Sequence, residues 1–273
     1  MSIDSIETTL TKNYKEENFP VGSWLLSKKI RYQMLVFYNF ARAADDIADS
    51  PILNSKEKLK RLNILEKSIK FNKKKIKKIE NLKKVCLENK VKISYSLNLL
   101  KAFKQDATKK RYKKWSELIN YCKNSAVPVG RFVVDLHNEN KNVYKYSDPL
   151  CIALQILNHI QDCKEDYEKI DRVYLPLSFL NKNNVKLKYL KKNYAQNNLR
   201  KALDEILIHT EKLITEAGKY KKKIKNKKLS RETDFILEIA KKLLKLLKEK
   251  DPLKEKVVLS KFDYIKCFIK TFF

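Results

Sequence analysis

Glycine is nearly missing from this chain, with three residues in 273, and proline is scarce at six. That excludes the glycine-rich loops that cradle phosphates in nucleotide-binding folds, and it leaves room for long unbroken helices. No regular alternating strand pattern and no internal repeat is visible. The five cysteines, Cys86, Cys122, Cys151, Cys163 and Cys267, form no CxxC pair. An odd, scattered set points away from a disulfide framework and toward free thiols in a reducing compartment. No apolar run approaches the ~20 residues of a membrane-spanning helix. The first residues, MSIDSIETTLTKNYKEEN, are polar and acidic, unlike a secretory signal. A cytoplasmic protein is expected.

Lysine is what the chain has in excess. Lys and Arg number 61 against 32 Asp and Glu, a net charge of +29. A polyanionic partner would account for it, and so would a Lys-rich composition spread over every solvent face. Lys far outnumbers Arg, and Asn and Ile are also frequent, which favours composition. The lysines are distributed over all the helical segments instead of gathering around aromatic platforms, so a nucleic-acid partner is not expected.

Apolar periodicity predicts helix after helix. The first should run from about Trp24 to Asp49, broken at Ser50-Pro51. Leu59, Leu62, Ile64 and Leu65 continue the pattern, and Ile76, Ile79, Leu82 and Val85 repeat every three residues among lysines, as on a helix with one buried stripe. Further helices are expected over roughly 92–107, 113–138, 149–169, 198–225 and 231–249, with 180–198 as a long connection. A last amphipathic segment covers about 260–272. There Phe262, Ile265, Phe268, Ile269 and Phe272 share helical spacing with Lys261, Lys266 and Lys270 among them. It reads first as an ordinary core helix and second as an interfacial helix making peripheral contact with an anionic membrane face. With no Pro-, Gly- or Ser-rich linker, one all-α domain over residues 1–273 is expected.

Two acidic clusters stand apart from this pattern. In NFARAADDIADSP, residues 39–51, Tyr38, Arg42, Asp45 and Asp49 share one helix face at spacings of 4, 3 and 4. Phe37, Phe40, Ala41, Ala44 and Ala48 occupy the other side. Aspartate is a poor helix former, anions oppose the dipole at a helix C-terminus, and like charges four apart repel. An Arg42–Asp46 ion pair on a solvated helix end would suffice for one such cluster. The second, ALQILNHIQDCKEDYEKIDRVYLP, places Gln155, Asn158, Asp162 and Asp166 on one line of a helix that is otherwise apolar nearly all round. Buried amide and carboxylate groups in a row are costly unless paired or bound to metal. An oxygen-only donor set points to a hard cation such as Mg²⁺, which takes one or two carboxylates, waters and substrate phosphate oxygens. Two or three such ions around a diphosphate would stabilise it as a leaving group, with apolar walls sheltering a carbocation.

These motifs resemble those of the squalene/phytoene synthase family of head-to-head prenyl synthases. The resemblance runs from about Phe19 to Pro176 and rests on YNFARAADDIAD, on YCKNSAVPVG at 121–130, and on QILNHIQDCKEDYEKIDRVYLP, in the family's order. It implies an all-α, isoprenoid-synthase-type helical bundle around a central cavity. NFPVGSWLLSKKIR and FARAADDIADSP are most similar to the hydroxysqualene-forming branch, which would imply conversion of presqualene diphosphate to hydroxysqualene in squalene and hopanoid biosynthesis. Alternatives within the family are condensation of two prenyl diphosphates to presqualene diphosphate, phytoene or dehydrosqualene; a non-catalytic member is a further one. The resemblance implies Mg²⁺ at Asp45, Asp49, Asn158, Asp162 and Asp166, diphosphate at Arg42, Arg172 and Ser23, and a reacting centre lined by Tyr38, Tyr121, Gln155 and Tyr174. It implies a prenyl diphosphate as ligand, other enzymes of the pathway as neighbours, and no NADPH. Lys123–Ser125 and Gln161 depart from the family's usual residues. His159, next to Asn158, reads as a packing residue.

Overall fold

The computed structural model describes residues 25–71, 75–220 and 223–272. Among the described residues regular structure is helical, and the β geometry is one isolated bridge between Arg111 and Val173. The expected all-α architecture is what forms.

Helix α1, Lys28–Asp49, starts where the Ser27 hydroxyl accepts from the Ile30 amide at 3.3 Å, an N-cap. It stops at Ser50 because Pro51 disfavours helical backbone in the residue before it, and Ser50 is extended with ψ 123°. Trp24, the expected start, lies outside the described residues. Helices α2 (Ser55–Phe71), α3 (Lys77–Glu88) and α4 (Ser94–Asp106) pack around α1. Ile76, Ile79, Leu82 and Val85 are all buried, as their spacing predicts.

Two expected helices are each divided. The segment 113–138 forms α5, Trp115–Ser125, and α6, Val127–Leu136, broken at Ala126 with φ −121°. Pro128 sits in the first turn of α6, where its missing N–H costs no helical bond. The segment expected over 149–169 begins earlier, as α7 at Tyr144–Gln161, and continues after Asp162 as α8, Cys163–Ile170. Asp162 leaves helical geometry at φ −98°, ψ 8°. The Asp162 and Asp166 amides still donate to the carbonyls of Asn158 and Asp162, at 2.9 and 2.8 Å. The row of side chains therefore crosses the joint intact. The expected loop at 180–198 contains the end of α9, Leu177–Lys182, and a 3₁₀ turn, Leu187–Lys191. Helices α10 (Asn197–Ala217), α11 (Lys227–Glu249) and α12 (Lys261–Phe272) complete the chain.

Helix α7 is central and packs against α5, α6, α10 and α11. The buried apolar residues fall into two large groups. One is built on α1–α4 with Phe132 and Leu136 from α6; the other is built on α5–α11. Phe37 of α1 stacks on Phe132 with ring centres 4.0 Å apart and joins α1 to α6. Helices α6 and α7 cross closely at Gly130. A Cβ there would collide with Cys151 Sγ and lie 2.7 Å from Ser147 Oγ. Overpacking of this kind costs about 1–3 kcal/mol, against up to about 1 kcal/mol gained when alanine replaces glycine in a helix. Gly130→Ala should therefore lower the melting temperature by a few degrees in a circular-dichroism melt. A midpoint at or above wild type would mean that Cys151 and Ser147 make room without cost.

Candidate active site

The α1 residues Tyr38, Arg42, Asp45 and Asp49 are half-buried, as is Ala41, while Phe37, Phe40, Ala44, Ile47 and Ala48 are buried. On α7 and α8 the half-buried residues include Leu154, Gln155, Asn158, Asp162 and Asp166, and the flanks Ala153, Ile156, Leu157 and Ile160 are buried. In both rows the polar line is partly open while the apolar residues beside it on α1 and α7 are closed off, as at the edge of a cleft. Ala41 thus belongs with the cavity face and not with the opposite side, where its spacing had placed it.

Arg42 bridges two carboxylates. It contacts Asp45 and meets Asp46 at 2.9 Å, so the Arg42–Asp46 pair read from the sequence is present and Asp45 is added to it. The Asp45 carboxyl is still pushed up to about 8, by burial and by the Asp49 charge, against the opposing pull of Arg42. Asp166 is likewise raised to about 8 by burial, by Asp162 and by Asp49. Asp49 of α1 therefore lies within electrostatic reach of the α8 carboxylate. The two rows, from distant parts of the chain, are brought to one place.

Between them stands a buried polar hub absent from the sequence reading. Asp106, the last residue of α4, is 3% exposed. It accepts from Tyr121 Oη at 2.7 Å and from Tyr174 Oη at 2.9 Å. Arg172, 2% exposed, donates through Nη1 to Asp49 at 2.8 Å and to Tyr174 Oη at 2.9 Å, and through Nη2 to the Asp106 carbonyl at 3.0 Å. Its Nε has no hydrogen-bond partner and lies 4.0 Å from Asp106 Oδ1. Burial and the Asp49 charge push Asp106 up to about 7, although Arg172 and both phenols favour its ionised form.

Local backbone puts these groups on the same side. Asp171 is left-handed at φ 52° and ends α8, with the Arg172 amide donating to the Asp166 carbonyl at 2.9 Å. The chain then runs extended beside 110–113, the Val173 and Leu177 amides donating to the Lys110 and Tyr112 carbonyls at 2.9 and 2.8 Å. Alternate residues of an extended segment face one way, so Arg172 and Tyr174 project together.

Next to the carboxylate row of α1 lies an apolar cavity of about 220 Å³. Its walls are Met34, Phe37, Tyr38 and Ala41 of α1, Phe132 and Val133 of α6, Leu150 and Leu154 of α7, Tyr220, and Leu229 and Ile236 of α11. The polar side chains of Ser147, Glu232 and Thr233 also line it. It occupies the seam between the two apolar groups.

Residues 13–263 match the family model for squalene/phytoene synthases. The chain belongs to the squalene/phytoene synthase family. Its curated relatives include the hydroxysqualene synthase of Rhodopseudomonas palustris, 37% identical over 254 residues, or 93% of this chain and 87% of that one. The hydroxysqualene synthase of Zymomonas mobilis is 35% identical over 90% of this chain and 84% of its own. Among solved structures, a dehydrosqualene synthase in complex with ligand superposes with a TM-score of 0.81 at 21% identity, covering 98% of this chain and 94% of that one. A squalene synthase from Alicyclobacillus acidocaldarius gives 0.77 at 21% identity, covering 90% and 92%. The last two share the fold.

In this squalene/phytoene synthase family chain, Arg42, Asp45 and Asp49 of α1, Asp162 and Asp166 at the α8 end, and Arg172, Tyr174 and Tyr121 are linked by the contacts above; Tyr38 lines the cavity, Asn158 lies in the α7 row, and Ser23 lies outside the described residues. Gln155 meets His159 at 3.2 Å, and the His159 ring stacks on Tyr174 at 3.6 Å. Burial, reinforced by Arg172, pushes His159 down to about 3, so the ring is neutral and packs, as expected. Gln161 turns away, donating to the Val257 carbonyl. Three residues near the site went unmarked. They are Asp106, Tyr112, which stacks on Tyr174 at 5.4 Å, and Lys58, whose pKa is lowered by burial and by the charge of nearby Arg172. A lone Asp, Tyr or Lys carries no spacing signal.

Among the described residues, no three or more His, Cys, Asp or Glu side chains gather into a ready-made metal cage. The carboxylates stand in open rows instead. Oxygen donors so arranged fit Mg²⁺, which keeps several waters and shares substrate phosphates, better than a cation needing a full protein cage. Two carboxyls held near 8 when 3.8 is ordinary bind protons in the folded state that the unfolded chain releases. Stability without divalent cations should thus be greatest in mild acid and fall as pH rises from about 4 through 8. Thermal melts in chelator between pH 5.5 and 9 should show this slope, reduced by Asp166→Asn. A slope identical in that variant would place its origin elsewhere.

Proposed function

We propose that this protein is a Mg²⁺-dependent enzyme that ionises presqualene diphosphate and quenches the cation with water, releasing hydroxysqualene and diphosphate in squalene and hopanoid biosynthesis. The observation that carries this reading is that one face of α1 serves both needs: Tyr38 and Ala41 line an apolar cavity, and Arg42, Asp45 and Asp49 on the following turns meet the α8 carboxylates and the buried Arg172 guanidinium. Oxygen groups for a metal–diphosphate complex and a dry compartment for a hydrocarbon chain stand side by side. The curated hydroxysqualene synthases, similar over most of their length, support the choice of substrate.

Asp45, Asp49, Asn158, Asp162 and Asp166 would hold Mg²⁺, in two or three ions. Bound Mg²⁺ supplies charge neutralisation to the departing diphosphate as the C–O bond breaks. Arg172 and Arg42 bind diphosphate oxygens with their planar forks, each already oriented by carboxylates. Ser23 is assigned to the same group on its motif alone. The apolar walls from Met34 to Ile236 exclude bulk water, so the cation meets the nucleophile held nearest. Tyr38, Tyr121, Gln155 and Tyr174 are the polar groups that line the reacting centre and place that water, whose proton passes to the departing diphosphate. No NADPH is required. The reading is tested by incubating the protein with presqualene diphosphate and Mg²⁺ and identifying the lipids by mass spectrometry. A C30 alcohol carrying ¹⁸O from labelled water is expected, unchanged by NADPH. Asp45→Ala and Asp162→Ala should each reduce turnover roughly a hundredfold or more without unfolding the protein, since several kcal/mol of charge stabilisation is lost. Squalene formed only with NADPH, or presqualene diphosphate accumulating from farnesyl diphosphate, would replace this substrate assignment with another in the family.

No helix among the described residues is long and apolar enough to cross a membrane. Helix α12 instead has apolar residues on two faces. Cys267 is buried and Phe268 stands edge-on to Phe235 of α11 at 5.9 Å, whereas Phe262, Ile265 and Ile269 are 76%, 54% and 49% exposed. A helix buried as ordinary core would not leave these three outside. Lys261, Lys266 and Lys270 are exposed beside them. An apolar stripe flanked by ammonium groups suits the headgroup region of an anionic bilayer, the place to collect a water-insoluble substrate. Co-sedimentation with phosphatidylglycerol-containing vesicles at low salt should retain the protein. Phe262→Ser with Ile265→Ser should weaken that binding at least tenfold, and equal binding by this variant would remove α12 from the contact.

A further inference from the structure

We infer that Asp106 is a positioning residue that points both phenol hydrogens of the site away from the reacting centre and so makes Tyr121 an acceptor there. The inference rests on the prenyl diphosphate reading above and adds a residue and a polarity to it. A phenol has one hydrogen to give. Tyr121 gives its own to Asp106 Oδ2 at 2.7 Å, and Tyr174 gives its own to Asp106 Oδ1 at 2.9 Å. An ionised carboxylate has no hydrogen to return. Arg172, donating to the Asp106 carbonyl at 3.0 Å and lying 4.0 Å from its carboxyl, balances the charge.

The two phenol oxygens are then left with lone pairs only. That of Tyr174 is engaged by Arg172 Nη1 at 2.9 Å. Tyr174 Oη is a second acceptor within reach of the Tyr121 hydrogen at 3.4 Å, too long to compete with Asp106 Oδ2 at 2.7 Å, so the Tyr121 oxygen keeps its acceptor capacity. The Tyr121 ring lies 5.9 Å from His159, the residue that contacts Gln155 of the α7 row. An oxygen presenting lone pairs can accept from a water O–H, fixing the water's oxygen toward a cation, and its dipole favours positive charge in front of it. It cannot donate to the leaving diphosphate. Asp106 touches neither water nor substrate in this scheme and acts through the phenols. Its two carboxyl oxygens are held by Tyr121 and Tyr174, whose rings pack with Tyr112 at ring-centre distances of 5.3–5.4 Å, which leaves the carboxyl little freedom to turn.

Asp106→Asn is the informative variant, because it keeps the shape and reverses part of the polarity. The amide NH₂ donates to a phenol oxygen, whose hydrogen must then turn elsewhere. At pH 8 with presqualene diphosphate and Mg²⁺, the variant should lose at least tenfold in kcat while KM stays within about threefold. The alcohol share of its products should fall in favour of deprotonated hydrocarbons. In a Tyr121→Phe background the same change should barely alter product shares further, since the two act as a unit. Wild-type kcat and wild-type product shares in Asp106→Asn would overturn the inference, as would a loss confined to KM. Wild-type turnover is the control for the reaction itself. Should the wild type prove inactive on this substrate, the substrate reading fails, and the hub is judged without activity. With ¹³Cζ-labelled tyrosine, Asp106→Asn should move the two resonances that vanish in Tyr121→Phe and Tyr174→Phe and leave that of the remote, exposed Tyr32 in place. Unmoved resonances would overturn the inference in that case too.

Discussion

The guanidinium of Arg172 joins parts of the chain that no local interaction would bring together. It reaches Asp49 at the end of α1, the end of α4 at Asp106, and Tyr174 two residues further on. Each of these is the last turn of a helix or an extended segment, where the backbone alone sets side-chain direction loosely. With Arg172 2% exposed, a broken pair would leave charge in a place that water barely reaches, at a cost of about 3–5 kcal/mol. The end of the α1 row and the two phenols around Asp106 are tied together by that one cation.

Around it the site holds more carboxyl groups than its surroundings can keep ionised without a bound cation. Asp45 and Asp166 stay near 8 in spite of Arg42 and Arg172. Such an arrangement is poor for stability and good for capturing cations, and the large apolar groups on either side of the seam hold it together. The chain's +29 charge does not relieve the strain, because most lysines pair with nearby carboxylates on the surface or stand in solvent. Charge balance inside the site and charge balance over the molecule are separate matters here.

What could be read from the sequence was whatever repeats. The buried stripe Ile76, Ile79, Leu82 and Val85, the two rows at spacings of three and four, and the helical class all follow from periodicity. The helix joints at Ala126 and Asp162 did not show. Pro128 is compatible with a first turn as well as with a kink, and Asp162 departs from helical geometry while keeping the hydrogen bonds on either side. Asp106 was invisible for a different reason. It is a single carboxylate at a helix end in KQDATKK, with lysines around it in sequence, and only the fold places two phenols against it. The apolar residues of α12 showed as one stripe, but Phe268 packs inward while Phe262, Ile265 and Ile269 stay outside, a division set by where α11 lies.

Helix α11 has two unlike neighbours. Ile236 lines the cavity, and Phe235, its neighbour in the chain, holds α12 through Phe268. The width of the apolar cavity and the seating of the last helix are thus set one residue apart on the same stiff rod. A lineage that lengthened or narrowed the pocket by shifting or turning α11 would tilt the outer helix as well. One that re-seated the outer helix would disturb the pocket wall. Cavity size and the seating of α12 would be expected to drift together among descendants of this chain.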